Sequence, residues 1–372
     1  MDSALQDIAM RIRSAAAGGT ALRIRGGGTK DFHGQALNGE LLDTRHLAGV
    51  TSYEPSELVV TVRAGTPLAE LEALLATQGQ CLPFEPPHFS AGAKVGDTVD
   101  ATVGATVGGM VAAGLSGPAR ASAGSVRDYV LGATLLNGRG ELLTFGGQVM
   151  KNVAGYDVSR VLAGSFGTLG VITEVSLKVL PVAPAEATLR FGMGQGDALR
   201  ALNRWGGQPL PLNASCWLQE AGEGALYVRL RGAVAAVEAA RHKMGGEPDG
   251  SCDWQALRNQ SHSFFAPRPG LCLWRLSLPQ TAPVLELPQP QLIEWHGGLR
   301  WLHAPSADAG RLRALAAGAG GHATLFRAAN DADRAGQVFA PLAAPLDRIH
   351  RELKKQFDPA GVFNPGRLYA DM

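Results

Sequence analysis

Three glycine-rich stretches hold the residues that could contact a ligand through their backbone. The first is RGGGTK at 25–30, which follows a short strand pattern that starts at residue 21. Because glycine has no Cβ, the N–H groups of residues 26–30 can converge on an anion. The motif predicts a phosphate-binding loop, although a tight turn with no ligand would use the same residues. It has the spacing of neither a dinucleotide fingerprint nor a P-loop, which disfavours both of those nucleotide-binding folds.

The second and third stretches are TVGATVGGMVAAGLSGP at 102–118 and AGSFGTLGVIT at 163–173. In the second, small residues keep the chain thin enough for a large flat ligand to lie along it. A small-residue helix packed closely on a neighbour is the alternative. In the third, glycines recur every third residue before a strand, where a ligand or a tight turn would fit. The second stretch ends a long irregular segment, 82–118, of a kind that compact domains keep mainly for function.

Acid–base and anion-binding side chains occur together in HATLFR at 322–327. Strand periodicity places His322 and Thr324 on one face, and Arg327 follows within reach of an anion. An arginine can clamp a carboxylate through two parallel hydrogen bonds. His322 and Arg327 are therefore the predicted catalytic residues.

Other titratable residues give weaker signals. His296 and His303, like His322, lie near candidate strands, where a structural histidine is the more frequent role. Lys151 is a second candidate cation or a solvated lysine before a helix. The region 186–330 has no closely spaced histidine pair with an acidic residue. The four cysteines are far apart, with no C-x-x-C spacing. The sequence therefore predicts no metal site.

Helix and strand patterns alternate along the chain and predict an α+β protein. Residues 4–17 have the apolar spacing of a helix. Residues 57–79 predict a strand, a turn and a helix, with Thr66 as the N-cap, Pro67 as the first helical residue and Gly79 at the end.

Later patterns predict further elements on both sides of a boundary at Pro184. Before it, we expect strands at 129–136, 141–145 and 170–182 and a helix near 156–163. After it, we expect strands at 187–192, 214–219, 225–231, 271–277 and 299–303, helices at 196–204, 232–243 and 307–318, and a last helix within 341–366.

Composition narrows the class of protein. A length of 372 residues suits two or three domains, and 34 Lys plus Arg against 33 Asp plus Glu leave a formal net charge of +1. This balance argues against a protein that binds nucleic acid or anionic lipid through bulk charge. No apolar run has the length of a membrane span or a signal peptide. We expect a cytoplasmic protein with reduced cysteines, which contacts a membrane only through partners.

The order of the glycine clusters is more specific than any one of them, and it resembles the vanillyl-alcohol oxidase or PCMH type of FAD-binding fold. The resemblance is carried by RGGGTKDFHG at 25–34, ATVGGMVAAGLSGP at 105–118, GSVRDYVLGATLLNGRGEL at 124–142, KNVAGYDVSRVLAGSFGTLGVITEVSLKVLP at 151–181 and FDPAGVFNPGRL at 357–368. It implies a two-subdomain FAD-binding domain at 1–183, an α+β cap domain at 186–340, and a C-terminal segment, 341–372, that returns to the FAD domain.

The resemblance also implies which residues bind FAD. The pyrophosphate would lie on the first glycine loop, the adenosine and ribityl groups near the second stretch and the 124–128 turn, and the adenine near the third stretch. The C-terminal segment would return toward the flavin ring. The implied residues are Arg25, Gly26, Gly27, Gly28, Thr29, Lys30, Gly108, Gly109, Gly124, Ser125, Asp128, Gly170, Val171, Ile172, Asn364 and Arg367.

The way the flavin is held follows from a departure from the family pattern. Covalent members have a histidine directly after the glycines of the first loop, whereas this chain has Thr29 there and His33 four residues later. We therefore expect FAD to bind without a covalent link.

Over its whole length the chain is similar to the FAD-binding subunits of bacterial glycolate oxidases. This implies oxidation of glycolate, a small 2-hydroxy acid, to glyoxylate, with a second FAD-binding subunit and an iron–sulfur subunit as partners. Because a metal-type substrate site is missing, a non-catalytic FAD-containing scaffold of such a complex is the alternative. An NADPH-dependent enolpyruvyl reductase, which has the same fold, is a poorer third possibility.

Overall fold

The computed structural model describes residues 2–89, 94–95, 98–99, 104–147, 157–220 and 222–372. Lys151 and the first residue of the helix expected near 156–163 lie outside them. The first domain combines helices with four small or medium-sized sheets. In chain order its elements are α1 (Ser3–Gly18), β1 (Leu22–Arg25), β2 (Glu40–Asp43), β3 (Val50–Glu54), β4 (Val59–Arg63), α2 (Leu68–Thr77), β5 (Gln80–Cys81), β6 (Lys94–Val95), β7 (Thr98–Val99), α3 (Val107–Ala113), α4 (Arg120–Ala123), α5 (Val126–Tyr129), β8 (Val130–Leu136), β9 (Leu142–Gly146), β10 (Val171–Lys178) and β11 (Leu180–Pro181).

One subdomain is built on the parallel pair β1 and β2. Helix α1 begins at the N-cap Asp2, whose carboxylate accepts a hydrogen bond from the Leu5 N–H, and it ends before Gly19, which has a φ of 65°. Its apolar positions recur with helical spacing, as expected from the sequence, and bury Ile8 and Ile12 against the pair. The C-terminal Phe363 bridges to Leu22 and completes this core.

The other subdomain is an antiparallel sheet of five strands in the order β3, β4, β10, β8, β9. Helix α2 begins one residue later than predicted, because Pro67 is the N-cap and Thr66 hydrogen-bonds to Gly49 instead. The helix expected near 156–163 is a 3₁₀ turn over Ser159–Leu162. In the second glycine stretch, the small-residue helix weighed as the alternative is present as α3.

The second domain is one antiparallel sheet of eight strands in the order β15, β12, β14, β13, β17, β18, β16, β19. Its elements are β12 (Ala185–Gly192), α6 (Gln195–Gly206), β13 (Leu212–Glu220), β14 (Glu223–Gly232), α7 (Val234–Met244), β15 (Glu247–Pro248), α8 (Trp254–Asn259), β16 (Cys272–Ser277), β17 (Gln291–Glu294), β18 (Leu299–Ala304), α9 (Ala309–Gly318), β19 (His322–Arg327) and α10 (Asp331–Ala335). The sequence analysis missed β15, β17, α8 and α10. All four residues of β17 are buried, so the strand shows no alternation to detect.

The chain then returns to the first domain through α11 (Ala344–Phe357). The ammonium group of Lys354 is buried there and donates to the carbonyl oxygens of Thr168 and Phe363, at 2.9 and 2.7 Å, and to Asp358 at 2.7 Å. These bonds satisfy a buried charge and attach the C-terminal segment to the first domain. Within the described residues, no helix is long and apolar enough to cross a membrane.

An apolar core also joins the two domains. Ala113 and Leu115, which end the second glycine stretch, pack against Trp295, Trp301 and Phe326 of the large sheet. The domains therefore meet beside the glycine-rich stretches.

Candidate functional site

A cavity between the two subdomains brings together four of the predicted segments. We call it the glycine-loop cavity. It is lined by Ile24, Arg25, Gly26, Gly27, Gly28, Thr29, Lys30, Asp31, Leu37, Thr106, Gly109, Ala112, Ala113, Phe166, Asn364 and Arg367. The cavity is therefore the meeting point of the first loop, α3, the turn at Phe166 and the C-terminal segment, which are far apart in the sequence.

The glycines of this cavity serve two different purposes. A Cβ on Gly26 or Gly27 would overlap the side chain of Thr106 or the carbonyl of Gly104, so these glycines let the loop pack against the start of α3. A Cβ on Gly109 would meet only the Thr106 hydroxyl, at 3.1 Å. Gly109 therefore keeps space open on the cavity side.

The loop presents unused donors to this space. Among the residues that the structure describes, the backbone N–H groups of Gly26, Gly27, Gly28 and Thr29 have no protein acceptor. Buried donors without a partner are costly, and an anion that accepts from them removes that cost. The loop and the space beside Gly109 therefore fit a phosphate-containing ligand such as the pyrophosphate of FAD.

The two cationic side chains of the loop, Arg25 and Lys30, differ in how freely they could pair with a bound anion. The Arg25 guanidinium donates to Asp31 at 2.8 Å and is thereby partly neutralised. The Lys30 ammonium donates to the Thr29 hydroxyl at 3.2 Å. Burial, together with the smaller effect of the nearby Arg258, lowers the pKa of Lys30 to about 7. An anion in the cavity would restore the charged form of Lys30.

Arg367 holds the loop that follows the glycines. Its guanidinium is buried and donates to the carbonyl oxygens of Gln35 and His33. Arg334 of α10 holds the same loop and donates to the carbonyl of Gly34 at 2.9 Å. Arg367 is therefore a positioning residue at the cavity wall. The sequence analysis missed Arg334, because no local pattern distinguishes it from other arginines on exposed helices.

Asn364, in the C-terminal segment, connects strand β1 with the 163–168 turn. Its side-chain oxygen accepts from the Ile24 N–H at 2.8 Å, and its amide nitrogen donates to the Phe166 carbonyl at 2.6 Å. Its backbone has a φ of 40°, a left-handed conformation that asparagine tolerates better than most residues. Asn364 fixes strand β1 and the 163–168 turn relative to each other.

The 124–128 turn lies at a different cavity, of about 510 Å³, which Asp128 lines together with Arg160 and the C-terminal Met372. Ser125 and Asp128 form a capping box at α5, with the Ser125 N–H and hydroxyl both 2.8 Å from the Asp128 carboxylate. These bonds lower the pKa of Asp128 against the opposing effect of burial. Gly124 precedes this turn with a φ of 98°.

Gly108, Gly170, Val171 and Ile172 line neither cavity. Gly108 packs against Ala64, where a Cβ would meet its side chain at 2.7 Å. Val171 and Ile172 begin β10 and pair with β8 on one side. The pairing of β10 with β4 covers only Glu174–Lys178, so in the described structure the first two residues of β10 have no strand neighbour on that side. Their predicted contact with adenine stays a prediction.

The structure does not bring the two predicted catalytic residues together, which corrects the expectation that they share one site. His322 and Arg327 occupy opposite ends of the six-residue strand β19, and His322 is exposed. Arg327 lies at the domain interface. Its guanidinium carbon is 4.7 Å from the centroid of the Phe32 ring, and one nitrogen donates to Gln260 at 3.0 Å.

The other histidines have structural surroundings. His303 is 2.9 Å from the Phe264 carbonyl, and His296 lies between the hydroxyls of Ser215 and Ser122. Within the described part of the chain, no three His, Cys, Asp or Glu side chains are close enough to hold a metal ion.

His33 is buried beneath the glycine loop and does not line the cavity. Its ring lies among aromatic rings, with centroids 4.5 Å from Phe326 and 5.3 Å from Phe166. Burial and nearby arginines hold its pKa well below the usual value.

Comparisons with known proteins agree with this architecture. Residues 3–146 match the family model described as an FAD binding domain. The chain is 46% identical to "Glycolate oxidase subunit GlcE" of Escherichia coli (strain K12) over 367 residues, which cover 99% of this chain and 98% of that protein. It is 29% identical to "Glycolate oxidase subunit GlcD" of Bacillus subtilis (strain 168) over 167 residues, which cover 44% of this chain and 33% of that protein.

A solved structure of alkyldihydroxyacetonephosphate synthase has the same fold. It aligns with 97% of this chain and 74% of its own, with a TM-score of 0.64 and 15% identity. This likeness and the family model confirm the predicted α+β, PCMH-type architecture.

Proposed function

Because this chain belongs to the family of glycolate oxidase subunit GlcE, we propose that it is an FAD-binding subunit of a complex that oxidises glycolate to glyoxylate. The observation that carries this proposal is the glycine-loop cavity, which is lined by Gly109 and by a loop whose backbone N–H groups have no acceptor among the described residues. Arg25 to Lys30, Asn364 and Arg367 would hold the cofactor. Bound FAD supplies the two-electron redox chemistry of such a reaction.

We also propose that FAD binds without a covalent link. Thr29 lies in the loop without a nitrogen nucleophile, and His33 is only 3% exposed and surrounded by aromatic rings. Denaturation with acid should therefore release all of the flavin into the supernatant. If mass spectrometry of the denatured chain shows that flavin is still attached, the proposal is contradicted.

The proposed partners are a second FAD-binding subunit and an iron–sulfur subunit. The described residues include no metal-binding cluster that could carry electrons onward, so an electron path through this chain would need a partner. We propose a cytoplasmic location, with membrane contact only through these partners. The second candidate function is a non-catalytic scaffold within the same complex. The separation of His322 from Arg327 supports it, because the two predicted catalytic residues do not share one site.

Anaerobic reduction tests these functions. The FAD-loaded chain is mixed with glycolate, with NADPH or with neither, and the flavin absorbance near 450 nm is followed, on the order of minutes to hours. Bleaching by glycolate supports the proposed oxidation. Bleaching by NADPH alone would support the enolpyruvyl reductase alternative. Flavin in this chain that stays oxidised with glycolate even when the partner subunits are present would support the scaffold role.

A further inference from the structure

A small pocket lies between the two domains, beyond the glycine-loop cavity. We call it the interdomain pocket. It measures about 30 Å³, and its lining includes Phe89, Ser116, Arg275, Glu294, Trp295 and Trp301. A bound water needs roughly 10 to 15 Å³ on the same scale, so the pocket suits a ligand of only a few heavy atoms.

Arg275 is a cation with unused hydrogen-bond donors. Its guanidinium stacks on two indole rings, with its central carbon 5.1 Å from the ring of Trp295 and 6.0 Å from that of Trp301. Its Nε is buried without a partner, and within the described residues its guanidinium makes no hydrogen bond or ion pair. By contrast, Arg229 in the same sheet is paired with Glu85 at 2.6 Å. Stacking fixes the Arg275 plane and leaves its edge available to a planar anion.

Glu294 supplies a second polar group to the same pocket. It is 4% exposed, and its Oε2 accepts from the Trp301 indole N–H at 2.8 Å. The structure gives Oε1 no partner among the described residues. Burial raises the pKa of Glu294 to about 7, because desolvation outweighs the effects of Trp301 and Arg275.

Backbone strain is concentrated around this pocket. Phe89, Gln260 and Trp295 all line it and have φ values of 51°, 53° and 54°. Such left-handed conformations cost free energy for residues other than glycine, and they occur preferentially at functional sites. They hold rings and polar groups in positions that the relaxed backbone would not give.

The pocket is also next to the glycine loop. The Phe89 ring contacts the Phe32 ring, with centroids 5.3 Å apart, and the Lys30 ammonium is 5.5 Å from the Phe89 centroid. A ligand in the pocket would therefore lie close to the loop that we assign to FAD.

We propose that the interdomain pocket binds a small 2-hydroxy carboxylate, with Arg275 pairing the carboxylate and Glu294 hydrogen-bonding the hydroxyl. This inference rests on the proposed function for the choice of ligand, since the pocket by itself indicates only a small anion with a polar neighbour. It assigns the substrate end of the site to residues other than His322 and Arg327.

Titration calorimetry of the FAD-loaded chain with glycolate tests the proposal. We expect Arg275→Met to weaken glycolate binding at least tenfold, since a guanidinium–carboxylate pair is lost. Arg204→Met is the matched control, because Arg204 also stacks on a tryptophan, Trp205, but is itself exposed on the outer face of α6. An unchanged affinity in Arg275→Met, or an equal loss in the control, would overturn the assignment.

The pH dependence of binding tests the role of Glu294. The charged groups around it are Arg275, Glu85, Arg120 and Arg258, on four different segments. Above a pH of about 7 an ionised Glu294 repels a carboxylate ligand, so glycolate affinity should fall as the pH rises from 6 to 8. Glu294→Gln should remove most of that decline. The same decline in the variant would exclude Glu294.

Two separate measurements distinguish a failure of the pocket assignment from a failure of the proposed function. Flavin absorbance of the purified chain reports FAD binding, and calorimetry reports glycolate binding. A chain that binds FAD but gives no heat with glycolate overturns the pocket assignment alone. A chain that binds glycolate through Arg275 without retaining FAD overturns the proposed cofactor and leaves the pocket as an anion site.

Discussion

At the scale of single residues, two residues of the same type can have different roles in this protein, depending on their surroundings. Gly27 allows two backbones to touch, because a Cβ would overlap the Gly104 carbonyl, whereas Gly109 leaves room for a ligand. Arg367 and Arg275 differ in the same way. The donors of Arg367 are used on loop carbonyls, and those of Arg275 are unused. A residue's chemistry therefore follows from what surrounds it.

Gly109→Asp should abolish FAD binding and leave the fold intact. The added carboxylate fills the cavity and repels phosphate, which should weaken FAD binding at least 100-fold, or about 2.7 kcal/mol. Gly27→Val should instead lower the free energy of unfolding by about 2 kcal/mol or more, because its side chain overlaps backbone. Flavin retention measures the effect of Gly109→Asp on FAD binding, and urea unfolding measures the effect of Gly27→Val on stability. Gly206→Asp, at a glycine with open space around it, is the control and should change neither.

Arg367→Ala should destabilise the loop at 31–35. Removal of the guanidinium leaves buried carbonyls without a donor, at a cost of about 1 to 3 kcal/mol, measurable by urea unfolding. Arg351→Ala is the control, because the ion pairs of Arg351 with Asp347 and Asp371 are exposed and screened by solvent, so their loss should change stability little. Equal losses in the two variants would contradict the positioning role of Arg367.

At the scale of elements, short segments connect the two domains. Helix α4 of the first domain reaches the turn after β17 through Ser122, whose hydroxyl is 3.0 Å from the His296 ring. The other ring nitrogen of His296 is 3.1 Å from the Ser215 hydroxyl of β13. His296 thus joins three elements, and burial lowers its pKa to about 4.

Acid should weaken this connection in a defined pH window. Below pH 6.5 the unfolded chain binds a proton at His296 and the folded chain does not, so stability falls as the pH drops toward 4. One such histidine contributes a slope of at most about 1.4 kcal/mol per pH unit. We expect His296→Gln to show a shallower loss of unfolding free energy between pH 6.5 and 4.5. An identical slope in both proteins would refute this role.

At the scale of the whole molecule, the sheet of the second domain packs against the first domain through aromatic rings next to the glycine loop. Phe89 and Phe326 line the interdomain pocket, and Phe32, just after the glycine loop, contacts both rings. The described residues provide no metal cluster for onward electron transfer. The proposed function gives this chain a second flavin subunit and an iron–sulfur subunit as partners.

Steady-state dye reduction should show that dependence on partners. We expect the isolated, FAD-loaded chain to reduce dye with glycolate slowly or not at all, and to gain at least tenfold activity with the second flavin subunit and an iron–sulfur subunit. His322→Ala should change the activity of the assembled complex little, because His322 is exposed at the far end of β19. Full activity of the single chain would contradict the subunit interpretation.

Local features of this protein could be predicted from the sequence alone. The buried face of α1, most strands of both domains and the phosphate-type loop depend on periodicity and on glycine, which act over a few residues. The resemblance implies that the first loop holds the pyrophosphate and that Asn364 and Arg367 lie toward the flavin ring. In the structure both residues line the same cavity as the loop, and their contact with FAD stays a prediction.

Tertiary structure decided how distant side chains combine. Strand β17 is buried throughout, so no alternation of apolar and polar residues revealed it. Glu294, at the end of this strand, shares a pocket with Arg275 only because of the order of strands in the sheet. His322 and Arg327 are near in sequence, yet a strand extends about 3.3 Å per residue and carries them to opposite ends. Burial, stacking and pairing across the domain interface involve residues far apart in the chain, and no local pattern records them.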